Sequence, residues 1–225
     1  MNKYRDPKTG QYVNSPAKRK QSLINELYRA FDFFNDTFAE KNGYDKLPKC
    51  IITIQNKGRR NACGWFSYGK WSDSLTDKGV PEINISAEYT AGGTHNVLET
   101  LLHEMAHFWN AERDINDCSG NQYHNKKFKT AAELFGLEVT RDSTRGWSYT
   151  ELTSVSRDAI KALKPDYEAF RFLKRRADPV SQHNKYTSLI VNTDLGAVIK
   201  VTANARGVSQ RELVEEALTD YFIHR

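Results

Sequence analysis

The sequence predicts an α+β fold on three observations. A helical stripe of apolar residues occupies residues 23–38, short β-patterned segments punctuated by glycine fill residues 50–86, and a second strongly patterned helix spans about residues 94–111. A chain of 225 residues, 39% hydrophobic and 27% charged, can bury a real core, so it reads as one mid-sized domain with a small appendix.

Taken in order, residues 1–16 are polar, carry Pro7, Gly10 and Pro16, and read as a tail. Leu23, Ile24, Leu27, Ala30, Phe31, Phe34 and Phe38 keep helical spacing, and Gly43 supplies the stop. After Leu47-Pro48 the pattern changes to strands at residues 50–55, 62–66 and 82–86, with Ile83 and Ile85 on one face of a small antiparallel sheet. Thr94 and Asn96 offer caps for the next helix, whose buried stripe is Val97, Leu98, Leu101, Leu102, Met105 and Phe108. A polar loop leads to His124, which opens a helix carrying Phe128, Ala131, Ala132, Leu134 and Phe135 and closing at Gly136. A strand at residues 137–139 and the stretch Gly146-Trp147-Ser148-Tyr149 follow. Trp147 and Tyr149 read as core, with the alternative that Tyr149 lines a cleft.

Beyond residue 150 come helical segments near 155–163 and 166–177, parted by Pro165, then a linker at 179–184. The expected organisation is a tail (1–16), a catalytic domain (17–152), a basic helical segment with linker (153–184) and a final module (185–225).

The chemistry centres on His103-Glu104-Met105-Ala106-His107. On a helix, positions four apart share a face, so both imidazoles reach one cation while the glutamate lies beside an open coordination position, the arrangement of a hydrolytic Zn2+ site. Catalytic zinc takes three protein ligands as a rule, and His124, across the polar loop, is the best third. His95 lies two turns from His103, and His183 and His224 fall outside the catalytic domain; Cys118 is a remote alternative ligand. Cys50, Cys63 and Cys118 form neither a disulfide framework nor a zinc ribbon and read as reduced thiols.

The net charge of +5 favours polyanionic company without requiring it. Basic residues cluster at Lys18-Arg19-Lys20, at Lys57, Arg59 and Arg60, and at Lys174-Arg175-Arg176. Arg59, Arg60, Lys174, Arg175 and Arg176 are candidate nucleic-acid contacts, against the alternative of a solvated surface. Trp65 stands in a segment where basic and aromatic residues interleave; it either stacks on unpaired bases or serves a β-hairpin through cross-strand contacts. No stretch has the apolar length of a membrane span and the first residues lack a signal-peptide core, so a cytoplasmic protein without membrane attachment is expected.

His103-Glu104-Met105-Ala106-His107-Phe108 and Tyr123-His124-Asn125-Lys126-Lys127-Phe128 resemble the metal motifs of SprT-like peptidases, the group that includes the DNA–protein crosslink protease Spartan. The resemblance takes in the first helix, Leu47-Pro48, Ile83-Asn84-Ile85-Ser86, Gly136-Leu137-Glu138-Val139 and Gly146-Trp147-Ser148-Tyr149, about residues 20–152. It implies a minimal zincin-type fold, zinc on His103, His107 and His124, Glu104 as catalytic acid/base, and protein substrates on DNA. The zinc ribbon that many such proteins carry is missing.

Residues 185–225 resemble a ribbon-helix-helix module: a strand at 187–191, a helix with Leu195, Val198, Ile199 and Ala203 inward, a Gly207-Val208-Ser209 turn, and a helix through Leu213, Val214, Ala217, Leu218 and Phe222. Ser209 and Glu212 have capping-box spacing. The resemblance implies a homodimer; a helical hairpin packed on the catalytic domain is the alternative. The expected function is zinc-dependent proteolysis of DNA-associated proteins. The rivals are a DNA-binding transcription regulator with a peptidase domain and a non-proteolytic zinc-binding interaction module.

Overall fold

The computed structural model describes residues 4–5, 12–13, 15–56, 62–171 and 193–223. Arg59, Arg60, Lys174, Arg175, Arg176, the expected linker and the expected strand at 187–191 lie outside the described residues. The chain divides into two units, residues 1–177 and 178–225.

The first unit begins with more than the expected tail. Tyr4–Arg5 (β1) pairs antiparallel with Tyr12–Val13 (β2), a ribbon built on β-favouring residues. Helix α1, Pro16–Phe34, starts at Ser15, whose side chain accepts from the Lys18 N–H, and has proline in its first turn, where no N–H partner is lost. Its buried face is Leu23, Leu27, Ala30, Phe31 and Phe34. The helix then widens into a π-turn over Asn35–Ala39, which turns Asn35 into the core. There the Asn35 amide donates to the Leu47 carbonyl and accepts from the Leu47 N–H, both at 2.9 Å, tying the entry of the sheet to the end of α1.

The sheet contains β3 (Ile51–Gln55), β4 (Gly64–Ser72) and β5 (Gly79–Ser86) in the order β3-β5-β4. The expected antiparallel pairing holds for β4 with β5, a hairpin, whereas β3 adds to the far side of β5 in parallel. The reason is topological: β5 returns from the hairpin and inserts between the two earlier strands. Phe66, Ile83 and Ile85 turn to the core, and the Phe66 ring stacks on Phe108 at 5.0 Å.

Helix α2, Thr94–Ala111, follows the expected span, but Thr94 and Asn96 are not its caps. Gly93 occupies the cap position at φ +89, with no side-chain capping bond. A short 3-10 turn at Tyr89–Gly92 delivers the chain into α2 through this left-handed backbone, which glycine adopts without strain. Leu98, Leu101, Leu102, Met105 and Phe108 are fully buried beneath the sheet and α1.

Helix α3 (Lys126–Leu134) is capped by Asn125 and packs with the antiparallel ribbon of β6 (Leu137–Asp142) and β7 (Gly146–Leu152). Helices α4 (Ser154–Leu163) and α5 (Tyr167–Arg171) were expected in a basic segment beyond the catalytic domain; they place Ile160, Leu163 and Phe170 in the same core. Arg29 of α1 clamps the turn between them, donating to the carbonyls of Leu163 (2.7 Å) and Lys164 (3.0 Å).

In the second unit, α6 (Thr193–Arg206) and α7 (Gln210–Ile223) are joined at Gly207. The capping box forms as spaced: the Ser209 N–H donates to Glu212 at 2.8 Å and the Glu212 N–H to the Ser209 hydroxyl at 3.1 Å. Arg206 of α6 pairs with Glu216 of α7. Of the residues expected inward on α6, Ala203 is buried, whereas Leu195 and Val198 are 48% and 59% exposed. Two short helices share one narrow face, too little to cover every apolar side chain. No described helix is long and apolar enough to cross a membrane.

Asn35→Ala strips both polar groups of Leu47 of their partners, and a loss of about 1–3 kcal/mol is expected. The check is a lower urea midpoint at unchanged m.

Candidate metal centre

His103 and His107 stand on one face of α2, their ring centroids 5.2 Å apart. His124 arrives from outside any helix, and main-chain pairing places it. Its N–H donates to the Arg145 carbonyl and its carbonyl accepts from the Trp147 N–H, both at 2.9 Å, while bridges tie it to Cys118 on one side and Gly146 on the other. Gly146, at φ +68, is required for contact as well as conformation: a Cβ there would lie 2.1 Å from the His124 carbonyl oxygen.

These three residues are brought together so that their ligating atoms lie within 4.8 Å of one another. In each ring, Nδ1 has a partner that sets the tautomer. His107 Nδ1 donates to Asp117 Oδ2 at 2.9 Å, and Asp117 is itself held by the Asn110 amide. His124 Nδ1 donates to the Gln122 carbonyl at 3.0 Å. His103 Nδ1 faces the Thr150 hydroxyl at 3.3 Å, and that hydroxyl donates to Glu99 Oε1, leaving a lone pair for the imidazole N–H. With Nδ1 protonated throughout, the unprotonated Nε2 atoms remain for a ligand. The Nε2 atoms of His107 and His124 are only 3.1 Å apart, an arrangement that repels unless a cation or a proton lies between them. The donor set therefore fits a metal ion. The Phe128 ring, 4.5 Å from each imidazole centroid, closes the back of the site with an apolar wall.

Without metal the three rings titrate differently. Burial pushes His103 well below the usual histidine range and His124 down to about 4, in both cases reinforced by His107. Burial would lower His107 too, but its hydrogen bond to Asp117 and the charge of Glu104 raise it instead. Glu104 is 4% exposed, and its Oε2 has no hydrogen-bond partner. Burial lifts its carboxyl to about 7, against the pull of His107 and a hydrogen bond from the Phe66 main chain.

The centre lies in a cleft of about 520 Å³ between α2, the start of β4 and β7. Trp65 lines the cleft at the β4 edge, opposite Asn84 in the sheet, while its neighbour Phe66 packs on the core. Tyr149 is 63% exposed and also lines the cleft, beside Thr150, which faces His103. Cys118 lines the cleft outside the histidine group, and His95 is exposed at the start of α2. His183 and His224 lie outside the described residues. Asp117, Thr150 and Glu99 were not distinguished by sequence reasoning; Asp117 stood among other polar loop residues, and no spacing marks the other two.

Asp117→Ala is expected to weaken metal binding about 10–100-fold with the fold retained, measured by chelator competition. Gly146→Ala should lose the metal more completely, since its new methyl group displaces the main chain of His124. For the metal-free protein, the lowered His103 and His124 rings bind fewer protons in the folded state than in the unfolded chain below about pH 6.5, opposed in part by the raised His107 and Glu104. The contribution of His103 and His124 to stability is full above that pH and is lost as pH falls through about 4. His124→Gln should flatten this decline in urea midpoints.

Comparison with curated proteins and with solved structures yields no match. Residues 27–144 match the SprT-like family, just over half of the chain and the part that holds the C-terminal end of α1, the sheet and all three histidines. On that match the chain belongs to the SprT-like family and carries a metallopeptidase-type domain.

Proposed function

We propose that this protein is a zinc-dependent endopeptidase acting on proteins associated with DNA. The observation that carries the proposal is the convergence of the three imidazoles beside a buried carboxyl with an unpartnered oxygen, at the floor of an open cleft. His103, His107 and His124 would hold Zn2+, a nitrogen donor set that leaves a fourth position open. Zinc bound there supplies Lewis acidity, polarising the scissile carbonyl and acidifying water.

Glu104 moves the proton. Burial raises this carboxyl, to about 7 in the metal-free site, and an acid raised above the ordinary carboxylate range suits a group that takes a proton from water and returns it to the leaving amine. The edge of β4 orients the peptide: Gly64, Trp65 and Phe66 border the cleft on a strand paired on one side to β5, and an extended substrate adds to such an edge by main-chain hydrogen bonds. The apolar wall of Phe128 keeps the imidazoles from solvent on their far side.

Association with DNA is supported by the net positive charge and by basic residues of α3 and the β6–β7 ribbon, of which Arg145 lines the cleft. Lys129 lies over the Trp147 ring at 4.5 Å, Arg141 donates to the Tyr123 hydroxyl, and Lys126 and Lys127 open α3. In the second unit the exposed Leu195, Val198 and Leu218 are consistent with a ribbon-helix-helix-like dimer.

Proteolysis of a DNA–protein crosslink tests this reading, comparing the parent with Glu104→Gln, with and without DNA. The parent is expected to cleave with zinc and to cleave faster with DNA, while Glu104→Gln keeps its zinc and is inactive. Equal cleavage by the variant would remove Glu104 from the mechanism. Zinc binding without any cleavage would favour an interaction module, and sequence-specific DNA binding by residues 180–225 alone would favour a regulator.

A further inference from the structure

Amide hydrolysis places negative charge on the scissile carbonyl oxygen, and beyond the Lewis acidity of a bound zinc no side chain with a role in the steps above meets that charge. Water oxygen bonds to the scissile carbonyl carbon while the C=O π pair moves onto oxygen, and the water proton passes to Glu104. The oxygen's pair then re-forms the C=O bond as the C–N bond breaks, the C–N electron pair staying on nitrogen, which takes that proton. Between these events the carbonyl oxygen carries a negative charge, and fixed positive donors aimed at such an oxygen lower the barrier most when they are preorganised.

Among the described residues lining the cleft, Arg145 is the one lysine or arginine. Glu99, Glu104 and Asp117 line the same cleft and would repel an oxyanion. The main chain of Arg145 is fixed on both sides: its N–H donates to Asp142 Oδ1 at 2.7 Å and its carbonyl accepts from the His124 N–H at 2.9 Å. Gly146, seated against the His124 carbonyl, locks the next residue. Arg145 is thus registered to the third histidine by backbone, while its exposed guanidinium makes no ion pair among the described residues. Its charge is felt on the opposite wall, where it draws down the thiol of Cys63 against the upward push of burial, Glu104 and Glu99.

On the peptidase reading above, we propose that Arg145 is a catalytic residue whose guanidinium donates hydrogen bonds to the oxyanion developing on the scissile carbonyl. A permanently charged, planar donor suits this task, because it needs no proton to be delivered during the reaction. The main-chain anchoring through His124 holds the root of the Arg145 side chain in one frame with the metal ligands.

The test uses the full-length, zinc-loaded chain on the crosslinked substrate, comparing the parent with Arg145→Gln and Arg145→Lys. Arg145→Gln should lower kcat roughly 100-fold or more with KM little changed, the signature of a lost oxyanion donor, and Arg145→Lys should fall between. A second readout is binding, by calorimetry, of a phosphinic peptide built on the cleaved sequence and of its unreacted amide counterpart. The parent should prefer the tetrahedral phosphinate, and Arg145→Gln should lose most of that preference while holding the amide equally well. An unchanged kcat, a rise in KM alone, or equal weakening of both ligands would overturn the proposal, as would loss of zinc from either variant, which would make the role structural. A parent that cleaves nothing would sink the peptidase reading itself, whereas a cleaving parent with an unimpaired Arg145→Gln would sink only this inference.

Discussion

The metal centre depends on main-chain pairing at a residue that no helix holds. His103 and His107 are placed by the helical repeat, but His124 reaches them because two isolated bridges pair it with Cys118 on one side and Gly146 on the other. Side chains follow from that alignment. The Gln122 carbonyl comes under His124 Nδ1, Asp117 comes under His107 Nδ1, and the Asn125 N–H returns to the Asp117 carbonyl at 2.9 Å. One short ladder therefore fixes the third ligand, the carboxylate behind the second and the start of α3. Its geometry tolerates no side chain at residue 146, so the smallest residue in the region is also the one on which the donor geometry rests.

Helix α2 serves the core and the site at once. Phe108 stacks on Phe66 of the sheet at 5.0 Å and on Phe31 of α1 at 6.4 Å, while the face bearing the histidines opens to the cleft. Each aromatic pair adds about 0.5–1.5 kcal/mol beyond the area it buries. More consequential than their energy is their rigidity, since packed interiors do not deform smoothly. A helix pinned between the sheet and α1 cannot turn to relax His103 or Glu104, which is how a buried carboxyl oxygen is kept without a partner. The cost of that orphaned atom is sustained by the surrounding core, and it falls at the position where proton transfer is proposed.

Much of this was legible in the residues themselves. The span of α2, the apolar stripe of α1, the strand through Ile83 and Ile85, and the Ser209–Glu212 cap all rest on local periodicity or local hydrogen bonding, which act between residues close in sequence. The order β3-β5-β4 was not legible, since alternation identifies a strand without naming its neighbour. Gly93 as the start of α2 was hidden by two better-looking caps, because the path of the preceding turn, not the identity of Thr94 or Asn96, decided where the helix begins.

The site divides along the same line. Two histidines four apart on a patterned helix, a glutamate between them and a third histidine before the next helix are chemical facts of the sequence, and helical geometry alone directs the first pair to one point. The partners that make those rings ligands come from elsewhere: Thr150 is 47 residues from His103 and 51 from Glu99, and Arg145 meets His124 only through strand pairing. Such contacts carry no period and no fixed spacing, because they are set by how α2, the loop before α3 and the β6–β7 ribbon pack together. The sequence by itself determined which atoms could bind a metal; the tertiary structure alone decided which tautomer each presents and which charges face the cleft, since both depend on neighbours that chain order does not bring near.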